Sequence, residues 1–296
     1  MSLSEVPLKD DPDQRAASAE RPALVAPVSR ISGDAATIAD EFRELWRYRE
    51  LVYFLAWREI KVRYRQAALG VAWAILQPLV SMITLVAVLS RLAGVAPGDS
   101  PYPVFVYSGL LLWTFVSNTV TSGSLSLANN PSLLQKVYFP RLAIPMASVG
   151  SGLLDLAIGH LAFVPLLFVY RVPFGTGQLA AVVPVVVATT LCLGVAVFFA
   201  SVNVRYRDVR HALPFLLQLW LFASPVFYAP SIIPERWRWL LALNPLFSIL
   251  AVYRAALFGG SVDWGAFLQA LAVTAAVCLL ALAVFRRLER TFADEV

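Results

Sequence analysis

The sequence has 296 residues, of which 59% are hydrophobic and 15% are charged, with a net charge of +5. A soluble protein has about a quarter of its residues charged, so the composition indicates a membrane protein. The basic residues form no nucleic-acid reading motif, and membrane topology explains the positive charge better. The charges are uneven, since residues 1–65 hold 22 of the 43 Lys, Arg, Asp and Glu. A polar leader therefore precedes an apolar body.

Residues 1–36 are rich in Ala, Ser, Pro, Asp and Arg and show little periodicity. Such a segment buries too little apolar surface to offset the entropy lost on ordering, so we expect a disordered cytoplasmic tail. Residues 1–30 lack the apolar core of a secretory signal, which places the N-terminus in the cytoplasm.

Residues 37–65 are predicted to form an amphipathic interface helix and a basic approach to the bilayer. Apolar residues recur at helical spacing: Ile38, Phe42, Leu45, Trp46, Tyr48 and Val52. Thr37 is a suitable N-cap, with Asp40 three residues later. Aromatic residues on one face and Arg on the other are typical of a helix at the membrane interface. The alternative is a solvated helix packed on a soluble partner.

Residues 66–288 are predicted to form an all-α membrane domain with six spans, followed by a cytoplasmic tail at 289–296. A helix needs about 20 apolar residues to cross the hydrocarbon core. With Asp155 tolerated in the third stretch, apolar stretches of this length place spans at about 68–92, 103–126, 142–169, 179–201, 212–229 and 264–286. The sequence Asn129-Asn130-Pro131-Ser132 breaks the chain after the second span.

Residues 231–261 are predicted to form a re-entrant helical hairpin before the last span. Asn244-Pro245 interrupts the apolar stretch, and Arg254 lies within it. Broken backbone at membrane depth is tolerated where protein or a wet cavity covers it. The alternative is a seventh span at 239–258, which would place the basic C-terminus outside.

Lys and Arg in short loops set the orientation of a membrane protein. With the N-terminus inside, twelve basic residues lie on the cytoplasmic side: Arg58, Lys61, Arg63, Arg65, Lys136, Arg141, Arg205, Arg207, Arg210, Arg286, Arg287 and Arg290. Five lie outside: Arg91, Arg171, Arg236, Arg238 and Arg254. The asymmetry supports six spans with both termini in the cytoplasm.

The motifs favour a transporter over an enzyme. No Gly-x-x-x-x-Gly-Lys-Ser/Thr loop is present, so we expect no cofactor in this chain and any ATP, with its Mg²⁺, to be bound by a partner. The paired carboxylates, Ser/His/Asp sets and metal-binding clusters of an intramembrane enzyme are also missing. Cys192 and Cys278 lie in apolar stretches without metal or redox spacing and are interpreted as core residues.

Asp155 is the polar residue within the body that most needs an explanation. An ionisable residue inside a membrane helix is by default a functional hypothesis. The alternative is structural, either hydrogen bonding between helices or a partner such as an Arg on the cytoplasmic side. His160 lies about 500° further around the helix, so the two residues face different directions and make a poor catalytic pair.

Aromatic residues are abundant, at 8 Trp, 10 Tyr and 18 Phe. Many are expected in the interfacial belts, for instance Trp237 and Trp239. Others lie within or near the spans and are candidates to line a path for sugars, whose apolar C–H faces stack on aromatic rings: Trp73, Tyr107, Trp113, Phe115 and Trp220. The alternative for each is lipid contact or core packing.

Four stretches carry a family resemblance. They are REIKVRYRQAALG at 58–70 followed by WAILQP at 73–78, NPSLLQKVYFPR at 130–141, NVRYRD at 203–208 and LNPL at 243–246. Through them, in the same order over about residues 40–290, the chain closely resembles the permease subunits of ABC polysaccharide exporters. These are the O-antigen, capsule and teichoic-acid exporters of the type-2 ABC exporter fold.

The resemblance implies six spans, an interface helix before the first and short re-entrant helices before the last. It also implies a homodimer in the inner membrane, with each subunit docking a separate ATPase through the loop between spans two and three. Carried onto this chain, the coupling residues are Asn130, Lys136, Tyr138 and Arg141. The cargo is a lipid-linked polysaccharide, and the candidates to bind its pyrophosphate head group are Lys61, Arg63 and Arg65, since Arg favours bidentate phosphate binding. Those cations have an alternative role in binding anionic lipid or enforcing orientation.

Two other functions stay open. The first is a type-2 exporter of another lipid or a drug. The second is a membrane glycan transferase acting on polyprenyl carriers, which would need acidic catalytic motifs in a cytoplasmic loop, where the chain offers chiefly Asp208.

Overall fold

The computed structural model describes residues 38–65, 70–92, 101–131, 133, 139–173 and 175–289. Within these ranges the regular structure is entirely helical, as predicted. The α-helices are α1 (Ile38–Arg47), α2 (Arg49–Arg65), α3 (Trp73–Leu92), α4 (Tyr102–Ser126), α5 (Ala143–Val169), α6 (Val182–Arg205), α7 (Val209–Phe222), α8 (Glu235–Ala242), α9 (Pro245–Phe258) and α10 (Trp264–Glu289). Short 3₁₀ turns at Gly70–Ala72, Thr176–Ala181 and Pro230–Ile232 lead into α3, α6 and α8.

Five helical segments are long and apolar enough to cross a membrane, counted over the described residues. They are Gly70–Leu89, Tyr102–Ser126, Ala143–Val169, Thr176–Arg205 and Trp264–Glu289, which match five of the six predicted spans. The protein is therefore a multi-pass membrane protein.

The remaining predicted span, 212–229, corresponds to the shorter helix α7. This helix has 14 residues, or about 21 Å of rise. It ends before Ser224 and Pro225, because a proline lacks the N–H that would continue the helix. A total of six spans stays a prediction, since α7 alone is shorter than a full span.

The predicted pair of short helices before the last span is present as α8 and α9. They are separated at Leu243 and Asn244, beside the predicted break. The Asn244 side chain accepts a hydrogen bond from the backbone N–H of Leu246 and so caps α9, with Pro245 in its first turn. Gly259, at φ 75°, ends α9 in a left-handed conformation. That the pair dips into the membrane and returns stays a prediction.

Helix α4 forms the centre of the apolar core. Of its most apolar stretch 72% is buried, against 11% for the span at Gly70–Leu89. Small residues allow neighbouring helices to approach α4 closely. A β-carbon added to Gly123 would lie 2.7 Å from Ala196 Cβ on α6, and one added to Gly152 of α5 would overlap the Thr119 hydroxyl of α4.

The segment predicted as one interface helix forms two, with a turn at Tyr48. Backbone hydrogen bonds from Tyr48 to Glu44 and from Val52 to Tyr48 link the two helices across the turn. A second apolar cluster joins these helices to the ends of α4, α6 and α10: Leu45, Leu55, Leu127, Phe139, Leu142, Val204 and Phe285. Trp46, by contrast, is 73% exposed and does not share the face of Leu45. The predicted tail at 1–36 and the N-cap Thr37 lie outside the described residues.

Candidate functional site

Asp155 is held by two residues of α2. The Arg63 guanidinium forms an ion pair with one oxygen of its carboxylate, and the Tyr64 hydroxyl donates a hydrogen bond to the other. The Asp155 side chain is 14% exposed and that of Arg63 is 30% exposed. A carboxylate with donors on both oxygens avoids the desolvation cost of an unpaired buried charge. Arg63 is thus an Arg partner of the kind that the structural alternative for Asp155 describes.

Glu59 extends this contact one turn earlier in α2. Its carboxylate accepts hydrogen bonds from the Ser148 hydroxyl at 2.8 Å and the Ser151 hydroxyl at 3.4 Å. Arg63 also donates to the Ser151 hydroxyl at 3.3 Å. Because Glu59 meets Ser148 whereas Arg63 meets Asp155, α2 and α5 run in the same direction along this contact. We call these five residues and Tyr64 the α2–α5 network.

Tyr64 donates to this network as a neutral phenol. Burial raises the pKa of its hydroxyl, and the hydrogen bond to Asp155 raises that pKa further. A higher pKa keeps the proton on the phenol at physiological pH, so the hydrogen bond to the carboxylate persists.

A cavity of about 400 Å³ opens beside the α2–α5 network. Its walls come from the end of α2, from α3, α4 and α5, and include Arg63, Tyr64 and Asp155. A second cavity of about 420 Å³ lies further along α3 and α4 and reaches Leu221 of α7. Gln77, Thr114 and Asn118 line both cavities, so the two adjoin. We call the combined feature the α3–α4 groove.

Two stripes of neutral polar residues face this groove. Helix α3 contributes Gln77, Ser81 and Thr84, and α4 contributes Thr114, Ser117, Asn118, Thr121 and Ser122. The α3 residues are four and three positions apart, and the α4 residues recur at i, i+3, i+4, i+7 and i+8, which places each set on one helix face. The stripes are not evident from charges or aromatic rings, because none of their residues is charged or aromatic. The spacing of Gln, Asn, Ser and Thr in otherwise apolar helices was the available signal.

The predicted glycan-path residues divide into two groups. Trp73 and Phe115 line the cavity beside Asp155, and Trp113 lines the second cavity. Trp220 lies edge-on to Trp113, with ring centroids 6.1 Å apart. Tyr107 does not reach the groove: it is fully buried, stacks on Phe163 and donates its hydroxyl to the backbone oxygen of Gly159 at 3.1 Å.

Asn244 fixes the Trp220 ring. The Trp220 indole N–H donates to Asn244 Oδ1 at 2.9 Å, and Asn244 Nδ2 donates to the backbone oxygen of Ala223 and to the Ser224 hydroxyl. With the cap of α9, one side chain therefore joins the end of α7, the turn after it and the start of α9. This gives a physical role to the Asn-Pro pair of the LNPL stretch.

Arg254 of α9 also binds the turn after α7. It is 7% exposed and stacks on the Phe105 ring, with its guanidinium carbon 3.6 Å from the ring centroid. It donates to the backbone oxygens of Pro225 and Val226 at 2.6 Å each, and to that of Phe105 at 3.2 Å. These carbonyl partners explain how a cation is accommodated in the predicted re-entrant segment without a described carboxylate partner.

The two described coupling residues are both held by distant parts of the chain. Asn130 accepts a hydrogen bond from Arg58 of α2 at 2.8 Å and donates to the backbone oxygen of Ser126 at 2.8 Å. Arg141 donates to the backbone oxygen of Glu289 at 2.5 Å and lies 3.9 Å from its carboxylate. Lys136 and Tyr138 lie outside the described residues. The loop between α4 and α5 is thus anchored at one end to α2 and at the other to α10.

The head-group candidates also differ in their surroundings. Arg63 is engaged in the α2–α5 network. Lys61 and Arg65 are exposed, and the Lys61 ammonium lies 5.6 Å from the centroid of the Trp57 ring. The described residues place Arg63 alone of the three at the groove.

His160 faces away from Asp155, as the helical spacing predicts. Its Nε2 accepts a hydrogen bond from the Tyr253 hydroxyl at 2.7 Å, while Nδ1 donates to the backbone oxygen of Leu156. It borders an apolar cavity of about 740 Å³ between α5, the start of α6 and the end of α9. Cys192 is buried and Cys278 is half-buried, and neither forms a disulfide. Across the described residues, no three His, Cys, Asp or Glu side chains cluster as metal ligands would.

Comparison with known proteins agrees with this architecture. Residues 50–258 match the family described as ABC-2 type transporter. The O-antigen export system permease protein RfbA of Myxococcus xanthus is 34% identical over 261 residues, covering 86% of this chain and 98% of the relative. The protein of the same name from Klebsiella pneumoniae is 24% identical over 83% of this chain and 94% of its own length. The polysialic acid transport protein KpsM of Escherichia coli is 26% identical over 78% of this chain and 91% of its own length.

The matched region runs from the start of α2 to the end of α9 and so includes the α2–α5 network, the α3–α4 groove and the Asn244 and Arg254 contacts. It covers well over half of the chain, and the first of these relatives is aligned over nearly its whole length. The resemblance drawn from the four sequence stretches is confirmed. The chain belongs to the ABC-2 type transporter family.

Proposed function

We propose that this chain is the membrane subunit of an ABC exporter that moves a lipid-linked, O-antigen-like polysaccharide across the cytoplasmic membrane. The observation that carries the proposal is the α3–α4 groove, which combines hydroxyl and amide side chains with the exposed ring of Trp73, while the buried residues Phe115 and Trp113 form part of its wall. Hydroxyls and amides can exchange hydrogen bonds with sugar hydroxyls, and aromatic rings stack on the apolar faces of sugars. The names of the relatives, which include two O-antigen export permeases, support the same class of cargo.

A second copy of the chain would enclose the groove. Helices α3 and α7, which both contribute to the lining of the groove, also carry exposed apolar residues that include Val80, Ile83, Phe215, Leu219 and Phe222. A groove open to hydrocarbon would leave the amides of Gln77 and Asn118 without partners, at a cost of several kcal/mol for each unsatisfied group. Pairing of two subunits through α3 and α7 would bring the two grooves to one shared, water-accessible path. The proposed functional unit is therefore a homodimer.

Export requires energy from an ABC ATPase, the partner that membership of this family implies. ATP and Mg²⁺ would bind to that partner, and the loop between α4 and α5 would receive its movement. Asn130 and Arg141 support this assignment because they attach the two ends of the loop to α2 and α10. Movement of the loop would thereby reach the α2–α5 network and the groove beside it.

The exposed basic residues of α2 suit the pyrophosphate of a lipid carrier. Lys61 and Arg65 are exposed and lie two positions before and after Arg63, which borders the groove together with Asp155. This end would face the cytoplasm, with both termini inside, as the distribution of Lys and Arg predicts. The head group would bind on α2 while the glycan enters the groove.

Deletion of the gene tests the proposal against both alternatives. An exporter subunit predicts that completed lipid-linked glycan accumulates inside the cell while surface glycan, measured by labelling intact cells, is lost. A transferase predicts that the glycan is not made at all. An exporter of another lipid or a drug predicts unchanged surface glycan, which would contradict the proposal. Co-purification of the tagged chain with an ABC ATPase measures the partner directly.

A further inference from the structure

The α3–α4 groove is electrically balanced along its described length. Its neutral hydrogen-bonding residues come from α3 and α4, and the charged residues among its described lining residues are Arg63 and Asp155. These two form an ion pair with each other, so their charges cancel. No described residue further along the groove supplies a cation that could balance a negative charge on a sugar.

The amides of Gln77 and Asn118 lie where the two cavities adjoin. Within the described residues, neither side-chain amide is hydrogen-bonded to protein. Each amide presents both a donor and an acceptor to the groove, whereas the hydroxyls of Thr84, Thr121 and Ser122 donate to backbone oxygens of their own helices and present acceptors. Such groups can match the donors and acceptors of a sugar hydroxyl, whereas a carboxylate offers only acceptors and brings a charge that these groups do not neutralise.

We infer that the groove selects uncharged glycan and discriminates against polyanionic glycan, an inference that rests on the proposed function. A neutral sugar exchanges its water for amide, hydroxyl and aromatic contacts. An acidic sugar would lose hydration in a site whose one described guanidinium is already paired with Asp155. The relatives include a carrier of polysialic acid, an acidic polymer, so family membership alone leaves the charge of the cargo open.

Asp155 determines this selectivity by neutralising Arg63. Replacing Asp155 with Asn would remove the only described carboxylate that lines the groove and give its described lining a net positive charge. Asn118→Lys would do the same without changing the ion pair. Both variants are therefore expected to shift the preference toward acidic glycan, whereas the double variant Arg63→Gln/Asp155→Asn restores neutrality and should restore the preference for neutral glycan.

The test uses two probes that differ in charge but share one backbone. They are an oligomer of α-1,4-linked galacturonic acid and its methyl ester, which is uncharged. The full permease with its ATPase is placed in nanodiscs, and binding of each probe is measured by saturation-transfer NMR against empty nanodiscs. The wild type should bind the ester at least about tenfold more tightly than the acid, and Asn118→Lys should reduce that ratio about tenfold or more. Asn118→Gln changes the same groove side chain without adding a charge, so it should change the affinity for both probes by the same factor and thereby separates the effect of charge from that of a displaced amide.

Each outcome decides between the claims. Equal or tighter binding of the acid by the wild type would overturn the charge selectivity and leave the glycan groove in place. Binding of neither probe would overturn the groove as a glycan site and the selectivity with it. If Asp155→Asn fails to fold, Asn118→Lys still tests the inference, because an unchanged ratio in that variant would contradict it.

Discussion

Arg63 and Asp155 form an ion pair that joins the helix preceding the first span to the middle of the third predicted span. Asp155 lies twelve residues into α5, about 18 Å along its axis. The pair therefore connects a segment predicted at the membrane surface with one predicted at membrane depth. It also forms one wall of the α3–α4 groove, so the position of α2 and the shape of the groove are coupled.

Breaking this pair should loosen α2 from α5. Asp155→Leu leaves Arg63 and Tyr64 without their carboxylate, and we expect a loss of about 1–3 kcal/mol, less than for a fully buried pair because Arg63 is partly exposed. Thermal unfolding of the purified complex in detergent measures this loss. The charge swap Arg63→Asp/Asp155→Arg should recover part of the stability. A swap no more stable than Asp155→Leu would show that the two charges are not coupled.

Gly109 is predicted to be irreplaceable because of its neighbours. A β-carbon at this position would overlap the backbone oxygen of Val226 and the Arg254 guanidinium. Gly109→Ala should therefore push the turn after α7 away from α4 and lower the unfolding temperature by several degrees, as overpacking costs about 1–3 kcal/mol. Gly177→Ala is the matched control, since nothing lies within 4 Å of its β-carbon position. Equal unfolding temperatures for the two variants would refute the packing described here.

Asn244 offers a test of the fixed Trp220 ring. Asn244→Ala removes the cap of α9, worth about 0.5–2 kcal/mol, together with the acceptor for the Trp220 indole. Asn244→Asp keeps both acceptor roles but loses the donor to Ala223 and Ser224. Glycan export, measured by surface labelling of complemented deletion cells, should fall most in the Ala variant and to an intermediate level in the Asp variant. The opposite order would place the function of Asn244 in its Nδ2 donor instead.

The anchors of the α4–α5 loop should affect coupling more than assembly. Asn130→Ala and Arg141→Ala each remove one attachment of the loop, and we expect reduced export and reduced cargo-stimulated ATPase activity with normal membrane insertion. Arg236→Ala, an exposed cation on α8, is the control and should retain both activities. Wild-type export by both loop variants would remove Asn130 and Arg141 from the coupling role.

Composition and periodicity were sufficient to predict the helical fold, five of its long spans and the break between α8 and α9, because span length and proline positions are local properties of the chain. The length of α7 was harder to predict. Residues 212–229 are uncharged throughout, and Pro225 alone does not identify the end of α7, because α7 also contains Pro214. The turn at Ser224-Pro225 is stabilised by Asn244 and Arg254, which are distant in sequence.

The candidate site was predicted only in part for the same reason. Trp73, Trp113, Phe115 and Arg63 were named from their residue types, and the structure brings them to one groove. The partner of Asp155 could be predicted to be an Arg but not to be Arg63, because Arg63 lies 92 positions before Asp155 in the sequence. Tyr107 shows the limit of residue type, since its ring packs in the core and is absent from the groove lining.

Photo-cross-linking from the groove to the cargo tests the central claim most directly. A photoreactive amino acid replaces Gln77 in the groove or, as a control, Leu279, an exposed residue of α10. The exporter is arrested during transport with an ATPase partner that binds but does not hydrolyse ATP. The account predicts that glycan becomes attached at position 77 and not at position 279. Equal labelling of the two positions, or labelling at position 279 alone, would contradict it.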